Sequence, residues 1–371
     1  MKSKKICIMT INGDNFGNRL QNYALQEILK KCGLDVYTLI NACSKYDEKI
    51  KLNKVFIFFY CNIYLKTKKI SSLKRSKFFK KFDKENIKFS KFYVNNNKKT
   101  WNNQLINSYD YFICGSDQIW NSSFLSNGAA HFLYFVPKKK KLTYAPSFGT
   151  SEIQPVRKEE YKKYLEDFQD ISIREDKGKE IIKELTGYDK TKVLVDPTML
   201  LTNEEWDIVS KKPAQIDNIK GKKYILNCFL GSLSDSREKE ISRVAKENNC
   251  CIINLLDKND PYYVCGPSEF LYLEKHAFLI CTDSFHSSVF AILYDRPFVV
   301  FDREEQGMND MGSRLDTLIN RFRLENRRYN GKNITQENLN HDYTEAYKIL
   351  AEERKKSDAF LRKALDIKDG E

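Results

Sequence analysis

The sequence predicts an α/β fold of two Rossmann-like domains facing a cleft, with a basic helical segment inserted in the first. Three observations predict it. Short, nearly continuous apolar runs alternate with stretches whose apolar residues recur at helical spacing, the pattern of parallel strands covered on both faces. That alternation occurs twice, on either side of a polar stretch containing Pro213. The length, 371 residues, gives two domains at roughly 150 residues each. The expected boundaries are 1–201 for the first domain, 202–221 for a linker, 222–335 for the second domain and 336–371 for C-terminal helices.

Taken in order, Lys5–Ile11 (KICIMTI) is an apolar strand, followed by the Gly/Asn/Asp loop Asn12–Asn18. Leu20, Tyr23, Ala24, Leu25 and Ile28 then fall on one helical face, and Gly33 stops the helix. Asp35–Asn41 is the second strand. The basic, aromatic block from Tyr46 to about Trp101 is expected to be helical. Tyr109–Gly115 is a buried strand ending in the polar turn SDQIWNSS, and Leu142–Gly149 follows. A charged helix over Val156–Phe168 precedes short strands at Asp170–Glu175 and Lys192–Leu200. The second series runs strand Lys223–Leu230, helix Asp235–Asn249, strand Cys251–Leu256 and helix Pro267–His276. Strand Phe278–Ser284, helix Phe285–Tyr294 and strand Pro297–Asp302 complete it.

Composition excludes several classes. Hydrophobic residues at 41% and aromatic residues at 13% exclude a largely disordered chain. The formal charge of +13 is concentrated: residues 45–99 hold 17 Lys and Arg against Asp47, Glu48, Asp83 and Glu85, and the remainder is neutral. A local block of this kind indicates a local anionic partner, and no nucleic acid is expected. Val55–Leu65 is about half the ~20 residues of a membrane span, and Ile6–Ile11 is too short for a signal peptide core. A cytoplasmic location is therefore expected. The ten cysteines show no CxxC spacing, and reduced structural thiols with no metal site are expected.

In open parallel sheets ligands bind beyond the carboxyl ends of strands, where loops lead into helix N-termini. Four loops qualify. The first carries Gly13, Asp14, Asn15 and Asn18, and reads equally as a capped glycine turn. The second carries Ser116, Asp117 and Gln118 directly after a buried strand, where polar groups cost desolvation unless paired. The third carries Arg174 and Glu175; the arginine fits a forked grip on phosphate or carboxylate, or a surface pair with its neighbour. The fourth, Cys281–Ser288, ends an apolar strand in Thr282, Asp283 and Ser284 and starts a helix with His286, Ser287 and Ser288 in its first turn.

Together these loops resemble the polysaccharide pyruvyl transferase family from Lys5 to about Leu324. The matching motifs are Gly13–Asn18, GSDQIWN (Gly115–Asn121), YAPSFG (Tyr144–Gly149), SIRE (Ser172–Glu175) and the His-bearing turn in TDSFHSSVFAILYDRPFVVF. The resemblance implies a glycosyltransferase-B-like fold and metal-free, cofactor-free transfer of a pyruvyl unit from phosphoenolpyruvate to two sugar hydroxyls, giving a cyclic ketal. The acceptor it implies is a cell-surface polysaccharide or its lipid-linked oligosaccharide precursor.

Many members read Arg-Leu-His at the last turn, and those Arg and His side chains contact the donor. Here the turn reads Ser284-Phe285-His286, so the histidine carries over and the arginine does not. The donor's charge then falls to Arg174, Arg303 or Arg314, with Arg314 favoured. His286 is expected to protonate the donor's methylene carbon, and Asp14 or Asp117 to take a hydroxyl proton. Two other readings share the architecture: a glycosyltransferase with a nucleotide-sugar donor, and a non-catalytic glycan- or lipid-binding relative. The basic block, with Phe78, Phe79 and Phe82 on one helical face, is expected either to lie on an anionic membrane or to pack its aromatics on the first domain.

Overall fold

In the computed structural model, residues 3–41, 68–124, 126–304 and 312–367 are described. The chain divides into two compact units between Leu200 and Leu201. Strands β1 (Lys5–Met9), β2 (Asp35–Asn41), β3 (Phe89–Val94), β4 (Tyr111–Cys114) and β5 (Lys141–Thr143) form the parallel sheet of the first unit. Their order is β3-β2-β1-β4-β5. A small pair, β6 (Ser172–Ile173) and β7 (Lys192–Val193), lies apart. The second unit holds β8 (Tyr224–Cys228), β9 (Cys251–Asn254), β10 (Leu279–Thr282) and β11 (Phe298–Val300), ordered β11-β10-β8-β9 and again parallel. The longer helices are α1 (Phe16–Lys31), α2 (Lys68–Asn86), α3 (Lys158–Leu165), α4 (Asp176–Thr186), α5 (Asp235–Glu247), α6 (Pro267–His276), α7 (Phe285–Leu293), α8 (Ser313–Arg321) and α9 (Thr344–Leu365).

Each strand alternates its buried side chains between two cores. In β1, Ile6 and Ile8 join Leu25 and Leu29 of α1, while Cys7 and Met9 join the aromatic core of Phe112, Trp120, Phe132 and Phe148 on the other face. Both faces are covered, which is why the strands read as unbroken apolar runs. Two side chains per strand repeat fix the register, since a one-residue slip would exchange the cores. The eight cysteines among the described residues are free thiols, and burial raises those of Cys7, Cys114 and Cys281 above the usual thiol range.

Three expectations change here. The basic block is not a helical insertion throughout: residues 42–67 lie outside the described residues, 68–86 are helical, and Phe89–Val94 is the edge strand of the first sheet. Ser90 and Val94 point inward and Lys91 and Tyr93 outward, a half-buried alternation that basic residues disguise. The aromatics of α2 do not form a free face, because Phe79 and Phe82 are buried and Arg75 stacks on Phe79 and Tyr263 in the second unit. Finally, the stretch expected as a linker is folded: Trp206 is fully buried and packs edge-on to Phe290 at 5.0 Å.

The division also cuts two helices. Residues 68–82 of α2 and 344–351 of α9 group with the second unit, and the rest of each with the first. Phe360, Leu361 and Leu365 of α9 thus complete the first unit's core beside Ile6, Ile8 and Leu29. No helix of the described residues is long and apolar enough to cross a membrane.

Candidate active site

A doubly wound sheet opens a crevice where the strand order reverses. In the first unit that point lies between β1 and β4, and in the second between β8 and β10. At each, an aspartate joins the two flanking loops.

In the first unit the joint is Asp117. Its Oδ2 accepts from Asn18 Nδ2 in the first turn of α1, and its Oδ1 accepts from the Gln118 N–H at 2.7 Å and lies 3.9 Å from Arg174 Nη2. Its backbone is left-handed, φ 79°, a conformation that Asp tolerates better than most residues and that signals strain held by its surroundings. Asn15 caps α1, accepting from the Gly17 and Asn18 N–H groups. Arg19 steadies the same loop by donating to the Gly13 carbonyl at 2.7 Å and pairing with Asp83 at 2.7 Å and Asp14 at 3.6 Å. Asp14 itself is exposed.

Three sequence motifs interlock beneath Asp117. Its carbonyl accepts the Ser147 N–H at 2.8 Å. Glu175, fully buried, accepts through Oε1 from Ser147 Oγ, Phe148 N and Gly149 N at 3.0, 2.8 and 3.3 Å. Gly149 has φ +67°, and a Cβ there would approach Gln118 Oε1 to 2.5 Å, so this turn requires glycine. Gln118 in turn accepts from Asn121 Nδ2 at 2.7 Å.

Arg174 was expected to grip a donor anion, and the structure places it otherwise. It is 3% exposed, and its Nη1 donates to Asp196 Oδ2 at 2.7 Å. Ser116 Oγ donates to the same oxygen at 2.7 Å, while Asp196 Oδ1 accepts from Thr198 N and Oγ1. Burying a guanidinium demands a carboxylate partner, and Asp196 supplies it. Ser116, Arg174 and Glu175 are thus each bonded within the protein. Two carboxylates, Asp117 and Asp196, flank the one arginine, an excess of acid that disfavours an anionic ligand. Asp196 was missed in the sequence; its only signal is Asp-Pro directly after the apolar run VLV.

In the second unit the joint is Asp283. Its Oδ1 accepts from Leu230 N at 2.7 Å, and its Oδ2 from Gly231 N at 2.9 Å and Arg303 Nε at 3.1 Å. Gly231 lies directly beneath the pair, since a Cβ there would sit 3.3 Å from Asp283 Oδ2. Thr282 Oγ1 donates to the Cys228 carbonyl and accepts from Ser284 N, turning the chain into α7. Ser284 occupies the N-cap position of α7 without a side-chain cap bond, and the buried His286 sits in the first turn, its ring edge-on to Phe285 at 5.2 Å. Ser287, expected at the ligand, instead donates to the fully buried Glu274 at 2.6 Å, locking α7 to α6. Burial raises that carboxyl well above the usual range. Arg314 is buried in the first turn of α8, which packs on α7.

In the second unit His286 lies in the first turn of α7, Arg314 in the first turn of α8, and Arg303 just beyond β11, while α7 has its positive end at Ser284. The other histidines lie elsewhere: His131 is buried in the first unit, His276 is exposed against Tyr272, and His341 pairs with Asp295. Among the described residues no group of three or more His, Cys, Asp or Glu is placed to hold a metal ion.

Two parallel-sheet units with polar switch points give a fold that is glycosyltransferase-B-like. The chain belongs to the polysaccharide pyruvyl transferase family, whose model matches residues 15–305. Among solved structures, UDP-N-acetylglucosamine 2-epimerase from Rickettsia bellii is similar at a TM-score of 0.50 and 12% identity, covering 99% of this chain and 97% of its own. UDP-GlcNAc 2-epimerase from Neisseria meningitidis gives 0.48 and 12% over 98% of this chain and 99% of its own. Acinetobacter baumannii MurG gives 0.43 and 11% over 99% of each. At such identities the likeness concerns the fold. A comparison with curated proteins returns no match.

Proposed function

We propose that the protein transfers a pyruvyl unit from phosphoenolpyruvate to two hydroxyls of a sugar in a cell-surface polysaccharide or its precursor, forming a cyclic ketal. The observation that carries this reading is the family match over residues 15–305, a span that includes His286 at the head of α7. The donor is strongly anionic near neutrality, which favours the second unit, where Arg314 and the α7 N-terminus supply positive potential and Arg303 adds to it from beside its partner Asp283. Arg303 and Arg314 hold phosphate and carboxylate in this reading, taking the part of the family's missing arginine.

The chemistry needs a proton on the donor's methylene carbon. His286 as imidazolium supplies it, and C2 becomes electrophilic. A sugar hydroxyl adds to C2 and loses its proton, the C2–O bond to phosphate breaks, and the second hydroxyl closes the ketal. Asp117, whose two oxygens already accept hydrogen bonds, holds the loop.

The test is incubation of the purified protein with phosphoenolpyruvate and candidate glycan acceptors, following phosphate release and acceptor mass. An acceptor that gains the mass of pyruvate less one water, with one phosphate released, is the expected result. Phosphate release without acceptor modification, or none at all across the acceptor panel, refutes it.

A further inference from the structure

A second cavity of about 630 Å³ opens at the carboxyl ends of β8 and β9 against α5. Its size falls within the range of small-molecule sites. Its floor carries an anomaly. β8 turns Ile225 into a core with Ile241 and Val244 of α5, and the next side chain on that face is Asn227. Asn227 pairs in register with Asn254 and donates to its Oδ1 at 2.8 Å. It is only 6% exposed, and its own Oδ1 is buried without a hydrogen-bond partner. An apolar residue would suit this face better, because an unsatisfied buried acceptor destabilises the fold.

A ligand that donates a hydrogen bond to Asn227 Oδ1 resolves the anomaly. The remaining lining sets its chemistry. Phe229 and Leu233 supply apolar wall, and among the described residues the charged groups lining the cavity are the exposed acids Glu238 and Asp257, with no Lys or Arg. The site is rich in acceptors and repels anions, so phosphoenolpyruvate and nucleotide phosphates do not fit it. Hydroxyl donors on an apolar ring face do. We infer that this cavity binds a neutral sugar residue, with Asn227 and the two acids accepting its hydroxyls and Phe229 lying against the ring. That this sugar is part of the acceptor glycan rests on the transferase reading; the sugar site itself does not.

The test is saturation-transfer NMR on the full chain with methyl glycosides of glucose, galactose, mannose and N-acetylglucosamine. At least one is expected to give transfer to its ring protons, weakened tenfold or more by Asn227→Leu and several-fold by Glu238→Ala or Asp257→Ala. The two acid variants are at exposed positions and keep the test decisive if Asn227→Leu does not fold. Excess phosphoenolpyruvate is expected to leave the signal unchanged. No transfer from any glycoside, transfer unaffected by the variants, or displacement by phosphoenolpyruvate overturns the inference. Glycoside binding without pyruvyl transfer leaves the sugar site standing and removes the transferase reading. Transfer whose acceptor KM ignores all three variants does the reverse.

Discussion

Arg174 and Asp196 are held in the interior by one another, so removing either leaves a buried charge alone. Asp196→Ala is expected to cost about 3–5 kcal/mol, read by urea unfolding of the purified variant. A loss below about 1 kcal/mol means the pair is not formed in solution. His286→Ala is expected to lower pyruvyl-transfer kcat by roughly 10²–10⁴ while leaving the melting temperature within a few degrees; unchanged turnover removes His286 as the acid. His131 makes a prediction in pH. Burial, with Arg157 nearby, lowers its pKa from 6.5 to about 4. The unfolded chain therefore takes up that proton first as pH falls below about 6.5, and the first unit loses up to about 3 kcal/mol by pH 4. His131→Asn is expected to flatten this part of the profile. At this scale the sequence was only half legible. It marks Asp117, Arg174 and His286 as residues at strand ends, but which of them faces a ligand depends on partners such as Asp196 and Glu274, distant in the chain.

Between elements, the sequence is legible wherever a strand is buried on both faces. β1 and β4 read as apolar runs because their inner positions face two apolar cores, and β8 and β10 do so apart from Asn227 and Thr282. β3 failed that test because it is an edge strand whose outward positions, Lys91 and Tyr93, are exposed within a basic stretch, so periodicity there competes with charge. The joint between α6 and α7 is invisible in sequence and carries a consequence for stability. Glu274 keeps its proton when folded, its pKa raised well above the usual range by burial. Above about pH 4.3 the unfolded chain loses that proton, and the second unit is progressively destabilised as pH climbs toward the folded-state value. Glu274→Gln keeps the bond from Ser287 and removes the titration. Its melting temperature relative to wild type is expected to rise between pH 5 and pH 8; parallel profiles refute the neutral carboxyl.

For the whole molecule, the two switch points share a construction: an aspartate beyond one central strand fastens the loop beyond another. Asp117 does this with a side-chain amide and Asp283 with two backbone amides, so the two crevices differ in electrostatics. The topology follows from the twice-repeated alternation of strands and helices in the sequence. The division of labour does not, because it is set by buried pairs that long-range packing alone brings together. Acidification weakens the first unit through His131, and alkaline conditions weaken the second through Glu274. Stability of the full chain is accordingly expected to peak in between.

The core of the first unit includes Phe360, Leu361 and Leu365, and Lys4 Nζ donates to the carbonyls of Leu365 and Asp366 at 2.8 Å. Burying those three apolar side chains stabilises the unit by about 5–9 kcal/mol, comparable with the entire margin of a typical domain. On the ribosome the N-terminal sheet must therefore wait, unfinished, while Leu201–Ala351 are made, roughly 10–30 s at ordinary elongation rates. The second unit is then complete before the first can close, and nascent chains stalled before residue 352 are expected to display a protease-resistant second unit beside a protease-sensitive N-terminal region.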